Sequence, residues 1–238
     1  MAITLDATLP AVETLAEVIA LTATSHTMAD EVMGIVQDAS YTYADILEQF
    51  NDCQMEVAGK FLIPELEQWA DITLKANRKS VRLPADFHRN LRHAHSTTYN
   101  RKIKIYGSLS LLYRWFSNLD QSGRIVGCAV KGRDLYYQRI PTSDETLRIN
   151  YYGYPPRLES RMDKPDWLPW HLVKPLLVAY AAKELFDLIE DGQDGNKTNT
   201  TRWEAKYKEA FTDLEEFIGP EEDELDTIEV EIDWEAMM

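Results

Sequence analysis

Asp134 to Leu158 reads DLYYQRIPTSDETLRINYYGYPPRL. Two runs rich in strand-forming residues, Leu135–Ile140 and Leu147–Tyr152, flank the polar break Pro141-Thr142-Ser143-Asp144-Glu145. Aromatic and β-branched residues on either side of a turn cluster predict a β-hairpin. The chain then leaves through Pro155-Pro156 and, after a short linker, enters an apolar segment beginning at Trp167. Nothing in the stretch carries catalytic chemistry.

Upstream, the middle of the chain is β-rich. Ile72–Ala76 and Ser80–Leu83 are separated by Asn77-Arg78-Lys79, which predicts a hairpin turn. Lys102–Tyr106 alternates Lys and Ile with period two, as a half-buried strand does. Leu109–Trp115 follows in the same region, and Gly123–Val130 reads as another strand after the turn Asp120-Gln121-Ser122-Gly123. Helical patterns lie on both sides. Thr8, Pro10 and Glu13 predict the start of a short N-terminal helix with Val12, Leu15, Ala16 and Ile19 as its stripe. A second helix is expected over Met28–Val36 and a third over Ala44–Ala58, ended by Gly59 and Pro64. Downstream, Leu172–Ile189 is apolar on almost every face up to Ala182, so it predicts a buried helix that Pro175 either starts or kinks. Gly192–Thr200 is a polar connector, and Trp203–Ile218 predicts a last helix stopped by Gly219-Pro220.

Helix, sheet and helix in blocks predict an α+β fold. N- and C-terminal helices pack together, around a central antiparallel β-unit and ahead of an acidic C-terminal tail strand. The expected organisation is an N-terminal extension (1–26), a main domain (27–219) and the tail (220–238). Within the main domain, 27–66 and 163–219 are helical and 70–152 is β-rich. Tyr151 and Trp170 are expected to be largely buried, since an aromatic side chain removes about 150–250 Å² from water.

Composition narrows the function classes. The formal charge is −15, from 40 acidic against 25 basic residues. Tight wrapping of nucleic acid requires Lys and Arg to neutralise phosphates, so this balance argues against it. Cys53 and Cys128 are the two cysteines and form no CxxC pair, which predicts reduced buried thiols and a reducing compartment. The first basic residue is Lys60, so the charged start of a signal peptide is missing. The sequons at Asn196 and Asn199 then read as chance matches in a polar loop. No run approaches the ~18 uncharged apolar residues of a membrane span.

Candidate chemistry is sparse. His88, His93 and His95 lie close together, but a metal site needs further ligands and the surroundings are basic apart from Asp86, so they read as surface histidines. Gly123, Gly127 and Gly132 fit no phosphate-binding pattern, and Gly107-Ser108-Leu109-Ser110 lacks the closing glycine of a nucleophile elbow. The carboxylates of Asp191–Asn196 are out of register for a calcium loop, which leaves a polar connector. No pattern calls for a cofactor or a metal, and no catalytic residue is assigned.

Charge patterning says more. Lys75, Arg78, Lys79, Arg82, Arg89, Arg92, Arg101, Lys102 and Lys104 form a basic stretch against Asp86 alone, whereas no basic residue follows Pro220. Opposite blocks in one chain suggest contacts between copies or with a charged partner. In the tail, Ile228, Val230, Ile232 and Trp234 alternate with Glu229, Glu231 and Asp233. A segment with one apolar and one acidic face suits addition to another sheet, or folding back on its own domain. Arg89, Arg92, Ile228, Val230, Ile232 and Trp234 are therefore the candidate partner-binding residues. Reversing Arg89 and Arg92 to Glu is expected to impair assembly while leaving the monomer folded.

Residues from about Met28 to Phe217 resemble the head-to-tail adaptor (connector) proteins of tailed bacteriophages. The similarity lies in an order of features: a helix pair with Asp38 at its junction, Asn51 inside the second helix, then Pro64 and Leu66. Leu83-Pro84-Ala85-Asp86 and the Gly132/Tyr136-Tyr137 strand follow. Tyr151-Tyr152 with Pro155 and Leu158, and Trp167-Leu168-Pro169 at the start of the buried helix, complete it. The resemblance implies a structural virion protein without enzymatic activity. It also implies a homo-oligomeric ring, most often a dodecamer, beneath the portal protein, with tail or neck proteins on its other side and DNA passing through its lumen. The virion neck would be its place, reached from the host cytoplasm. Alternatives are another neck or tail component such as a tail-completion protein, a DNA-binding module using Lys75–Lys104 with Tyr99, and an enzyme with a pocket of perturbed titratable groups.

Overall fold

The computed structural model describes residues 24–116, 118, 120–191 and 197–219. Both the N-terminal helix expected over 8–19 and the tail strand lie outside these residues. Helix α1 (Ser25–Val36) is capped by Thr24, whose hydroxyl accepts the Thr27 N–H. It closes on Gln37 in the left-handed region. Helix α2 (Tyr43–Lys60) begins in a capping box: Asp45 accepts the Thr42 N–H at 2.7 Å and Thr42 accepts the Asp45 N–H at 3.4 Å. A 3-10 turn, Pro64–Leu66, leads into the strands. These are β1 (Glu67–Leu74), β2 (Ser80–Arg82), β3 (Phe87–Ser96), β4 (Arg101–Lys102) and β5 (Lys104–Tyr106). Helix α3 (Leu109–Trp115) precedes β6 (Gly127–Lys131), β7 (Asp134–Gln138) and β8 (Glu145–Gly153). Helices α4 (Trp170–Glu190) and α5 (Thr198–Ile218) end the described chain.

The fold is α+β, and the strands form two four-stranded sheets, ordered β1-β8-β3-β4 and β2-β7-β6-β5. Pairing is antiparallel except between β5 and β6, which run parallel and are joined through α3. One apolar core lies between the sheets. Ile72, Leu74, Leu147, Ile149 and Tyr151 supply it from the first, and Cys128, Leu135 and Tyr137 from the second.

Both expected hairpins are instead crossings between sheets. β7 pairs with β2 and β6, while β8 pairs with β1 and β3. Likewise β1 and β2, on either side of Asn77-Arg78-Lys79, belong to different sheets. A strand with one buried face alternates in the same way whether its successor lies beside it or across the core, so periodicity does not separate the two cases. The two crossings hold one another. The Asn77 N–H donates to the Pro141 carbonyl at 2.9 Å, and Asp144 accepts the Ala76 N–H at 3.0 Å and Lys75 Nζ at 2.7 Å. Asn77 adopts φ 59°, a left-handed conformation that asparagine tolerates better than most residues. The strand expected over Lys102–Tyr106 is also divided at Ile103, which is buried while the chain passes from the first sheet to the second. Leu109–Trp115 is a helix rather than part of a strand; the Ser108 hydroxyl accepts the Leu111 N–H at 3.1 Å and starts it.

Helices from the two ends of the chain pack together. Met28, Val32, Phe50, Val57, Leu176, Leu177, Ala181, Leu185, Tyr207 and Leu214 share a second core. Pro175 lies inside α4, five residues after its start, rather than at its beginning. Tyr151 is buried as expected, at 1 % exposure, but Trp170 is 54 % exposed. The apolar side of α4 is formed by Leu172, Val173, Leu176 and Leu177, and Trp170 at the first helical position is left outside it.

The linker from β8 to α4 is where the two cores meet. Leu158 is buried, and its backbone is held by one side chain: Asn51 Oδ1 accepts the Leu158 N–H at 2.8 Å and Asn51 Nδ2 donates to the Leu158 carbonyl at 3.1 Å. Gln54 donates to Asn51 at 3.1 Å and accepts the Trp167 indole N–H at 2.8 Å. The same linker receives the first turn of α1, with Ser25 N–H on the Asp163 carbonyl and His26 N–H on the Arg161 carbonyl, both at 3.0 Å. These are donors that a helix N-terminus leaves without intrahelical partners.

Asn51→Ala is expected to lower stability by about 1–3 kcal/mol for each of the two Leu158 groups it leaves without a partner. Chemical denaturation measures this, and an unchanged midpoint would contradict the role. A second expectation concerns pH. Asp163 accepts from the Ser160 hydroxyl (2.5 Å) and from the N–H groups of Ser160 (2.8 Å) and Glu159 (2.7 Å), which hold its carboxyl below the usual carboxylate range. A carboxyl depressed in the folded state adds stability above its unfolded pKa of about 4, and that stability is lost as pH falls through the folded value. Asp163→Asn should therefore melt below the parent near neutral pH, with the gap closing as pH falls through and below the ordinary carboxylate range. A gap of constant size across that range would show that the carboxylate charge is not the cause.

Candidate assembly interface

Two of the six nominated residues are described, and both bond within the chain. Arg89 precedes a register shift in β3, where Asn90 turns left-handed. Its guanidinium donates to the carbonyls of Gly59 (3.0 Å) and Phe61, at the C-terminal end of α2. A cation suits that end because the last helical carbonyls lack partners and carry partial negative charge. Arg92 donates to the Tyr152 hydroxyl at 2.9 Å and lies 5.8 Å from the centre of its ring, with Glu67 at 3.7 Å. Arg89 therefore joins the first sheet to a helix, whereas Arg92 ties β3 to its sheet neighbours β8 and β1, over a tyrosine that packs with the helical core. Reversing them strikes folding as well as any interface. Ile228, Val230, Ile232 and Trp234 lie outside the described residues.

The basic stretch does not form one face. Lys75 pairs with Asp144 and Lys79 with Asp120, beside the strand crossings. Arg101 donates to the Ile125 carbonyl where the chain changes sheets. Contiguity in sequence is lost because β1 to β5 are dealt between two sheets.

Among the described residues, exposed large apolar side chains include Met33, Met55, Tyr154, Met162 and Leu188, and three further groups. Trp69 and His93 stack with ring centres 6.0 Å apart on the outer face of the first sheet. Below them Asp71 takes two bonds from Arg148 (2.8 and 2.9 Å), which lower the Asp71 pKa and raise that of Arg148. Trp170 and Phe217 flank His171 at the start of α4 and the end of α5. Helix α3 exposes Leu111, Tyr113 and Trp115. Lys104 lies over the rings of both Tyr106 (5.4 Å) and Trp115 (5.6 Å). Beside this helix, Gly107–Ser110, Tyr113, Val130 and Lys131 line an open depression of about 410 Å³. Its sequence signal was the N-cap Ser108 followed by Leu109, Leu111, Leu112 and Trp115 at helical spacing.

Titratable groups gather into no reactive constellation among the described residues. Both cysteines are free and buried, and burial pushes the Cys128 thiol up to about 12 and raises Cys53 well above its ordinary value. Thiols held protonated are poor nucleophiles. Burial likewise pushes the Tyr137 hydroxyl up to about 12. His88 packs on Tyr154 at 4.6 Å, and burial lowers its pKa. Among the described residues no group of three or more His, Cys, Asp or Glu side chains is placed to hold a metal. No described helix is long and apolar enough to cross a membrane.

The described surface offers exposed aromatic groups on a scaffold with two apolar cores. Comparison with curated proteins gives no match. The family model of the SU10 adaptor protein matches residues 14–226. With nearly the whole chain covered, and with the helix–sheet–helix order and the Asn51, Leu158 and Trp167 positions joined in one network, the chain belongs to the SU10 adaptor protein family, a family of structural bacteriophage head-to-tail adaptors.

Proposed function

We propose that this protein is the adaptor ring of a phage neck, a dodecamer that joins the portal protein to the tail and lines the passage for DNA. The family match over residues 14–226 carries the proposal. The charge of −15 supports it, because a lumen poor in cations does not retain a polyanion. The role is structural and uses neither a cofactor nor a catalytic residue. The main domain, 27–219, forms the ring body, and 1–26 and 220–238 are appendages to it. Residues 228–234 serve as a docking strand on a partner, while Arg89 and Arg92 act on assembly mainly by fixing the shape of the subunit. Sequence-independent DNA binding by the Lys75–Lys104 stretch is the weaker reading, since Lys75, Lys79, Arg89 and Arg101 are engaged within the chain.

Negative-stain images of the protein mixed with its portal are expected to show rings attached to one end of the portal. A mixture that stays as separate particles at every ratio contradicts the adaptor role. Removing residues 221–238 should leave thermal unfolding of the isolated protein nearly unchanged but weaken attachment to the portal or tail. Four alternating apolar side chains contribute roughly 1.5–3 kcal/mol each when fully buried, less about 2–5 kcal/mol for ordering the segment. A large loss of stability on truncation would show instead that the tail belongs to its own domain.

A further inference from the structure

The exposed face of α3 is a surface that no other part of the described chain covers. Leu112 is its one buried residue, while Leu111 is 45 % and Trp115 61 % exposed. Its main packing is against β5 and β6. Around it stand Lys104, Arg114 and Lys131, all exposed. None of the three pairs with a carboxylate among the described residues, whereas Lys60, Lys75, Lys79, Lys174, Lys197 and Lys208 each do. In a chain with 15 more acidic than basic residues, cations left without carboxylates beside exposed aromatic groups mark a surface fitted to an acidic, partly apolar occupant.

The chain itself contains such a segment. Residues 221–238 hold nine acidic residues and no basic one, and Ile228, Val230, Ile232 and Trp234 alternate with Glu229, Glu231 and Asp233. Described residues end at Gly219, and 220–227 bridge at most about 30 Å when extended.

We propose that residues 228–234 of one copy dock on the α3 face of the neighbouring copy, with Ile and Trp side chains on Leu111 and Trp115 and carboxylates toward Lys104 and Lys131. This rests on the ring reading above and names the surface that receives the tail. Each copy then donates one segment and accepts another, a heterologous contact that closes when the ring closes. Lys104 serves both halves of the site: its ammonium already lies over Trp115, so an arriving carboxylate completes a charge pair on an aromatic floor.

Full-length Leu111→Cys and Ile232→Cys proteins, mixed with portal and treated with a short bismaleimide, provide the test. Cys53 and Cys128 are buried and do not compete. A covalent pair between copies is expected, and little when Glu65→Cys, exposed and far along the chain, replaces Leu111→Cys. Adding Lys104→Glu and Lys131→Glu should cut the yield about tenfold at low salt, and Glu229→Lys with Glu231→Lys on the donor should restore it. No link between copies overturns the proposal, as does a link found only within one chain when both cysteines are placed together. Electron microscopy of the same mixtures scores the ring separately. Rings without the link overturn this contact alone, and the link without rings supports the contact while contradicting the ring.

Discussion

The architecture depends on one side chain that imitates a backbone. Asn51 faces the Leu158 peptide with an acceptor at 2.8 Å and a donor at 3.1 Å, the pattern a neighbouring strand would present. Leu158 lies in a linker without regular structure, and buried peptide groups need partners that such a segment does not supply for itself. Asn51 supplies them from inside a helix, where asparagine is otherwise a weak choice. Gln54 and the Trp167 indole extend the bonding to the start of α4. On its far side the linker accepts the first N–H groups of α1. One polar network thus fixes where both terminal helical segments stand relative to the sheet that feeds the linker.

Arg89 joins the first sheet to a helix with a side chain that the sequence displays as ordinary surface charge, and Arg92 supports the joint from within the sheet. Arg89 reaches from β3 to the end of α2, and Arg92 covers Tyr152, an aromatic residue of β8 that faces the helices. Arginine suits these positions because a planar fork satisfies two carbonyls, or rests on a ring, without losing its charge. A protein that works as one member of an assembly gains from such joints. Contact surfaces on the sheets and on the helices keep a fixed relation only if the two cores do not move independently.

Much of the fold was legible and the missing part has a definite cause. The α1, α2, α4 and α5 patterns gave helices within about five residues of their observed limits, since apolar spacing and the stop at Gly219 act locally, while the caps at Thr24 and Thr42 were not read. Most strand positions were also legible, although β3 (Phe87–Ser96) was not read as a strand, and strand partners were not legible. Leu135/Tyr137 and Leu147/Ile149/Tyr151 alternate identically in a hairpin and in a sandwich crossing, and the deciding bonds, Asn77 to Pro141 and Asp144 to Ala76, join residues more than sixty positions apart. Trp170 was misjudged because a buried helix still has an outer side at its first turn. For the candidate interface, charge along the chain was a poor guide, because consecutive strands carry neighbouring arginines to different sheets. Exposed aromatic groups on α3 emerged only when its burial pattern was known.

Hydrogen exchange at the Leu158 amide tests the central claim most directly, because that N–H has no secondary-structure partner to protect it. If Asn51 holds the joint between the cores, this amide exchanges as slowly as those of β8, through opening of the whole fold. Exchange at the rate of a surface loop, with β8 still protected, would show that the linker opens on its own and that the joint is not where the structure is held.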